Sequence, residues 1–345
     1  MIGNISRLGN FLECRRRSYF SDILKLRPFT DSYNLIFGGA IHKGAETLFK
    51  TGSAEQALAE AERKLKERYE KMSSFLLPEE IPLIEKYARQ SRSATQAFYN
   101  FFAQFSDFKV VRPEVRFCVE LPNSTHHCRF AHELLYPDFP FELCEQSDME
   151  CHIPHFLAGR TDGIALWNKM LWFLEIKTTG DNKESFFRKF ILDLQTTAYT
   201  YGIRKEAGID VHGFVLVKIE KPRKNARDPF HYKVEAEPIT KTSEDLARFE
   251  VEVVQIMNDY ESSLPQGEVK SDLDLAKRYK NPASCFNYNE ECMFHTLCKG
   301  NRLPETGEFK LGEEDYIDLY LKYKVGLLSK EQFDLAESNW REEFR

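Results

Sequence analysis

The chain has 345 residues, 42% of them hydrophobic and 30% charged, so a sizeable core can form and wholesale disorder is excluded. A formal net charge of −6 excludes a protein that coats nucleic acid through unspecific positive charge, though not one with a local basic groove on an acidic body. No apolar run reaches the roughly 18 residues of a membrane-spanning helix. The opening MIGNISRLGNFLECRRR lacks the apolar core of a secretory leader, which predicts a cytoplasmic protein. Its eight cysteines are then expected as thiols or metal ligands rather than disulfides.

Apolar periodicity and turn residues predict the elements in chain order. Helices are expected over 34–50, 54–72 and 79–107, followed by a Val- and Phe-rich strand over 109–121. Residues 122–156, with Pro, Asp, His and Cys, predict a long loop or irregular insertion. Strands are expected over 156–167 and 170–177, a helix over 186–206, strands over 212–221 and 231–239, and a helix over 243–261. A cysteine-bearing segment occupies 281–300, and short amphipathic helices are expected over 313–345, the last opening on the capping box Ser329-x-x-Gln332. This order predicts an α/β fold, a mixed sheet flanked by helices.

The strand LWFLEIK is apolar except for Glu175 and Lys177, which a period of two places on one face, with Ile176 on the other. A two-residue turn at Asn168-Lys169 would set Trp167 opposite Met170 and so Asp162 opposite Glu175. Cross-strand Cβ atoms lie about 4.5–5.5 Å apart, close enough for two carboxylates to share a divalent cation. Such a pair repels unless a positive group lies beside it. Lys177 alone can serve, as a salt-bridge partner, and a hard cation such as Mg²⁺ serves better. The bland alternative is an exposed Glu/Lys pair on a strand surface.

At these residues the sequence resembles the RecB-like branch of the PD-(D/E)XK nucleases, which includes CRISPR-associated and many phage exonucleases. Four blocks over residues 4–300 carry the resemblance. They are Ser6-Arg7-Leu8 through Cys14-Arg15-Arg16-Arg17-Ser18-Tyr19-Phe20, with Arg15 where proline is usual; Gly38-Gly39-Ala40-Ile41-His42; Gly159-Arg160-Thr161-Asp162-Gly163 with Glu175-Ile176-Lys177-Thr178; and Gln195 with Tyr199. The resemblance implies a restriction-endonuclease-like nuclease domain over 1–300, with a helical insertion at about 51–107, an irregular one at about 122–156, and a helical tail over 301–345. It implies Mg²⁺ or Mn²⁺ held by His42, Asp162, Glu175 and the Ile176 carbonyl. Lys177 would assist the attacking water, and Gln195 and Tyr199 would touch the substrate strand or support the site. The substrate implied is DNA, as single strands or duplex ends. Rival readings are a structure-selective endonuclease, a nuclease subunit of a recombination or spacer-acquisition complex, and a non-catalytic nucleic-acid-binding scaffold.

Cys14, Cys285, Cys292 and Cys298 suit a tetrahedral zinc, with His295 as a further candidate, or an iron–sulfur cluster, or plain buried thiols. The resemblance favours a 4Fe-4S cluster, although the C-x6-C spacing from Cys285 to Cys292 is longer than the family's usual one. Such a site would staple the two ends of the chain. Cys118, Cys128, Cys144 and Cys151 with His126, His127, His152 and His155 form a second candidate set, but their spacings match no common zinc pattern. The basic runs Arg15–Arg17 and Lys218–Arg227 are candidate phosphate contacts, or simply solvated surface.

Overall fold

A computed structural model describes residues 2–76, 78–126, 153–180, 184–222, 226–263, 280–286, 291–300, 304–305, 308–311 and 329–332. In chain order the elements are β1 (Ile2–Asn4), α1 (Ile5–Glu13), α2 (Arg15–Ser18), β2 (Leu26–Arg27), α3 (Tyr33–Thr51), α4 (Ala54–Glu70), α5 (Leu83–Phe102), β3 (Lys109–His126), β4 (Ile153–Trp167), β5 (Met170–Thr179), α6 (Leu194–Glu206), β6 (Gly213–Glu220), β7 (Lys233–Thr240), α7 (Ser243–Ser262), α8 (His295–Gly300) and β8 (Lys310–Leu311). They form two compact units, one of residues 29–117 and 160–246, the other of residues 1–28, 118–159 and 247–345.

In the unit of 29–117 and 160–246, the end of β4 runs antiparallel to β5, β5 parallel to β6, and β6 antiparallel to β7. The β4–β5 turn is formed by Asn168 and Lys169 at φ 50° and 63°, the doubly left-handed geometry that matches the twist of a tight hairpin. It sets Trp167 opposite Met170, as the sequence predicts, and the ladder continues to Gly163 opposite Leu174. One face of this sheet, with Trp172, Leu174, Ile176, Val215, Val217 and Ile219, shares a core with Ile36, Phe37, Ile41, Leu65 and Phe98 of α3, α4 and α5. The other face carries Phe173, stacked on Phe214 with ring centroids 5.4 Å apart, under Tyr199 of α6. The result is the expected mixed sheet flanked by helices.

The helix ends follow local chemistry. Ser32 caps α3 by accepting from the Leu35 N–H, Ser53 caps α4 through the Gln56 N–H, and Gly52 closes α3 at φ 68°. Two helix predictions need correction. The helix expected over 79–107 is Leu83–Phe102, because Pro82 fixes its start, where a missing N–H costs nothing. The helix expected over 186–206 is broken into a 3-10 turn, Glu184–Phe190, and α6. The break is Asp193, whose extended backbone and capping carboxylate start a new helix.

In the other unit, Ile2–Asn4 pair in parallel with Phe156–Ala158 at the start of β4. Leu26 and Arg27 of β2 pair with Leu311 and Lys310 of β8, joining residues far apart in sequence. Beside them Tyr19, Phe20, Leu26, Phe294, Leu297 and Cys298 form a small core. The region expected to be irregular over 122–156 is strand at both margins, through His126 and from Ile153. Cys128, Cys144, Cys151, His127 and His152 lie outside the described residues, as does most of the tail. The capping box does form, with the Ser329 N–H donating to Gln332 and the Gln332 N–H to Ser329 Oγ. No helix among the described residues is long and apolar enough to cross a membrane.

Candidate active site

Six of the candidate residues come together in the unit of 29–117 and 160–246. Glu175 and Lys177 project from β5, Asp162 from β4, and His42 arrives on α3. Asp162 Oδ1 lies 2.7 Å from His42 Nδ1, and Asp162 Oδ2 accepts the Ile176 N–H at 3.0 Å. Glu175 is 4% exposed, and its Oε1 lies 2.6 Å from Lys177 Nζ. Lys177 Nζ also donates to Gln195 Oε1 at 3.5 Å, and Gln195 Nε2 donates to the Tyr199 hydroxyl at 2.8 Å. Gln195 and Tyr199 are four residues apart on α6 and therefore share a face.

The chain thus forms an unbroken polar line, Glu175–Lys177–Gln195–Tyr199, beside the His42–Asp162 pair. Tyr199 is buried edge-on to Phe117 and Phe173, which fixes the far end of the line. The close packing here has one strict condition. A Cβ on Gly202, one turn beyond Tyr199, would lie 2.1 Å from the fully buried Phe117 ring.

The local charges push the two carboxyls in opposite directions. Burial raises the Glu175 carboxyl, Lys177 lowers it, and Asp162 raises it further; the outcome lies above the usual carboxylate range. Burial also raises Asp162, but the His42 charge and hydrogen bond, the Ile176 N–H and Lys177 outweigh it and hold this carboxyl below its ordinary value. For His42, burial works downward, and Asp162 with Glu175 outweighs it to hold the imidazole above its ordinary value. Lys177, desolvated but facing Glu175 and Asp162, is held above the ordinary lysine value and so remains an ammonium. Burial and the Glu175 charge push the Tyr199 phenol up and keep it protonated.

Among the described residues, no group of three or more His, Cys, Asp or Glu side chains is arranged so that it could hold a metal ion. Each carboxylate here turns instead to a nitrogen partner, Asp162 to His42 and Glu175 to Lys177. The donor chemistry still suits a hard divalent cation, with two carboxylates and the backbone oxygen of the residue between Glu175 and Lys177, plus one imidazole. The sequence had suggested two carboxylates meeting face to face. The intervening detail, an Ile176 N–H held by the Asp162 side chain, is a backbone interaction that no residue pattern announces.

One charged group escaped the sequence reading. Asp193 caps α6 through the Thr196 N–H at 2.8 Å and adds its charge to the field around Lys177. The Asp193-x-x-Thr196 spacing is the signal that could have found it. Lys218, opposite Lys177 in the β5–β6 register, is only 2% exposed. It lies 3.2 Å from both Glu220 and Glu235.

Neither alternative for the run Lys218–Arg227, phosphate contact or solvated surface, describes its first lysine, which is spent inside the fold. Lys221 likewise pairs with Asn34 and lies over the Tyr33 and Phe37 rings. The Arg15–Arg17 run is also used internally. Arg16 is buried, Arg15 lies over the Phe11 ring, and Arg17 bridges to Glu13 at 2.7 Å.

In the other unit three of the four expected thiols, Cys14, Cys285 and Cys292, meet at one turn, and Cys298 lies within reach of their charges. The Asn281 N–H donates to Cys14 Sγ at 3.5 Å, Cys285 Sγ lies 3.7 Å from the Asn281 carbonyl, and the Cys292 N–H donates to the Cys285 carbonyl at 2.8 Å. Burial raises the Cys292 and Cys298 thiols, and the charges of Cys14 and Cys285 push in the same direction on both. Cys298 belongs to the small core of Phe20 and Phe294, and Cys292 packs against it. Thiolates are the donors that zinc or an iron–sulfur cluster takes, but these four cysteines are not drawn together into a metal-holding group. Of the second cysteine and histidine set, Cys118 is a buried thiol. His155 is buried with Nε2 2.9 Å from Asn258 Oδ1 and Nδ1 3.7 Å from Glu261. Those contacts make it a residue of the interior.

The family model of the PD-(D/E)XK nuclease superfamily matches residues 4–299, a span that contains every residue of both constellations. Among curated proteins none matches the sequence. With an acid–acid–lysine set on a β-hairpin and a family match over most of its length, the chain belongs to the PD-(D/E)XK nuclease superfamily, whose members are nucleases that generally use divalent metal.

Proposed function

We propose that the protein is a metal-dependent DNA exonuclease that hydrolyses phosphodiester bonds from single strands or duplex ends. The observation that carries this reading is the convergence of Asp162, Glu175 and Lys177 with His42, tied to α6 through the Lys177–Gln195 hydrogen bond. His42, Asp162, Glu175 and the Ile176 carbonyl would hold Mg²⁺ or Mn²⁺. A bound divalent ion supplies Lewis acidity and a water of lowered pKa.

The side chains supply the rest. The Lys177 ammonium, kept charged by Glu175, offers a fixed positive group to a phosphate oxygen or to the lone pair of the attacking water. Gln195 limits where that ammonium can move, since its carbonyl oxygen accepts from Lys177 while its amide donates to Tyr199. Tyr199 anchors the line in the aromatic layer beneath. His42 holds one oxygen of Asp162 and the Ile176 N–H the other, which fixes the plane of that carboxylate.

The test is degradation of end-labelled single-stranded and duplex DNA in Mg²⁺ or Mn²⁺, beside a covalently closed circle. Linear DNA is expected to shorten from its ends, the circle to survive, and chelation by EDTA to stop turnover. Cutting of the circle would make the protein an endonuclease. DNA binding without turnover would make it a scaffold.

The same reading assigns Cys14, Cys285, Cys292 and Cys298 to a 4Fe-4S cluster of structural role, with zinc as the alternative ligand. The support is the thiol chemistry of the four residues, the meeting of Cys14 and Cys285 at Asn281, and the link that the β2–β8 pairing makes between early and late residues. Anaerobically purified protein is expected to be brown, with a broad visible absorption that bleaches on reduction. Colourless protein with stoichiometric zinc would replace the cluster by zinc, and protein with neither would leave four buried thiols.

A further inference from the structure

We propose that Ile191 and Leu192 form an apolar wedge that inserts among the bases of a bound DNA strand and unstacks them beside the cutting site. The proposal deepens the nuclease reading and rests on it. The two residues fill the short connection between the 3-10 turn at Glu184–Phe190 and α6. Leu192 is 92% exposed and Ile191 is 50% exposed.

This tip is anchored at several points. The buried Lys241 donates from Nζ to the Ile191 carbonyl at 2.5 Å. The Ile191 N–H reaches the Arg188 carbonyl and the Asp193 N–H the Phe190 carbonyl, both at 3.3 Å. Asp193 then caps α6. A lysine taken out of water to hold one carbonyl is a costly way to fix a surface loop. What it fixes is two aliphatic side chains pointing into water.

Position and charge identify the occupant. Leu192 precedes Gln195 by three residues, and a three-residue segment spans at most about 10 Å. Bases along one strand of B-form DNA rise roughly 3.4 Å each, so the tip reaches about three base steps from the group that holds Lys177. Arg188 and Lys189, both exposed, flank the tip on its other side and complement phosphates. Aliphatic side chains pushed between base steps are a known means of unstacking them. The steps near a duplex end, where a strand must enter, are the ones within reach.

The experiment uses the full chain carrying Lys177→Ala, in Mg²⁺, with a blunt duplex holding 2-aminopurine next to its end. Anisotropy of a second dye reports binding in the same sample. Binding is expected to raise 2-aminopurine fluorescence several-fold, and the added pair Ile191→Ser and Leu192→Ser to remove most of that rise. Both residues are exposed, so the fold is expected to tolerate the change. Ile81→Ser, another exposed aliphatic site, is the control and is expected to keep the rise. In the otherwise wild-type chain, Leu192→Ser is expected to raise KM for duplex ends by about tenfold, the value of one buried leucine.

DNA bound with no fluorescence rise, or a rise that survives the double substitution, overturns the wedge and leaves the nuclease reading intact. A double substitution that changes only the protein's sedimentation makes the tip a protein contact and also overturns the wedge. Absence of both DNA binding and DNA degradation in the wild-type chain defeats both readings together.

Discussion

A Lys177→Ala protein is expected to lose DNA degradation by about 10²–10³-fold or more, the scale reported for removing one preorganised stabilising group from an active centre. Its secondary structure and its binding of DNA are expected to persist. The charge partner explains the tolerance. Removing the ammonium strands the buried Glu175 carboxylate, and an unpaired buried charge is normally severe. Glu175, however, is already displaced toward its neutral form by burial and by Asp162. It can take up a proton and avoid most of that penalty. Asp162→Ala is expected to be equally inactive by another route, because it frees both His42 and the Ile176 N–H. Degradation assays run beside circular dichroism melts make the check. Undiminished cleavage by both variants would remove the proposed chemistry while leaving family membership untouched.

The second large effect concerns packing. Gly202→Ala is expected to destabilise the protein by about 2–3 kcal/mol, as overfilling a tight interior does. In an open helix the same change would help, by roughly 1 kcal/mol. The sign reverses here because the added methyl meets the Phe117 ring at 2.1 Å, and that ring is held edge-on by Tyr199. Relief requires α6 to move, which drags Gln195 away from Lys177. Activity should therefore fall along with the melting temperature. Phe117→Leu in the same chain should recover part of both losses, and a double-mutant cycle would report the coupling directly. If Gly202→Ala melted at or above the wild-type temperature, α6 could not be as closely seated as described.

What was readable in the sequence followed from short-range rules. The hairpin was legible because Asn168 and Lys169 separate two alternating runs, and its register then fixed the face shared by Glu175 and Lys177. The ends of α3 and α4 were legible because Ser32, Ser53 and Gly52 carry their own local reasons for being there. The break before α6 was missed because residues 184–206 keep an apolar rhythm across it, and only the Asp193 side chain interrupts the helix. The inward-facing members of the basic runs were illegible for a different reason. Adjacency in sequence says nothing about which lysine faces inward, and Lys218 finds Glu235 only through a strand partner in β7. The polar line ending at Tyr199 depended on a helix laid over a strand, a relation set by tertiary packing that residue spacing alone does not reveal.

The pairing of β2 with β8 also governs the order in which the molecule can be completed during synthesis. Leu26 and Arg27 leave the ribosome early, yet their partners Leu311 and Lys310 come almost three hundred residues later. At about 5–20 residues per second, that is a wait of roughly 15–60 s. The nascent Tyr19, Phe20 and Leu26, whose core includes Phe294 and Leu297 with Phe309 packed against it, spend that interval without their full surroundings. The strands that carry Asp162, Glu175 and Lys177, with β6 and β7 beside them, have all emerged once residue 240 has, so the unit of 29–117 and 160–246 can mature on the ribosome while Leu26 and Arg27 still wait for Leu311 and Lys310.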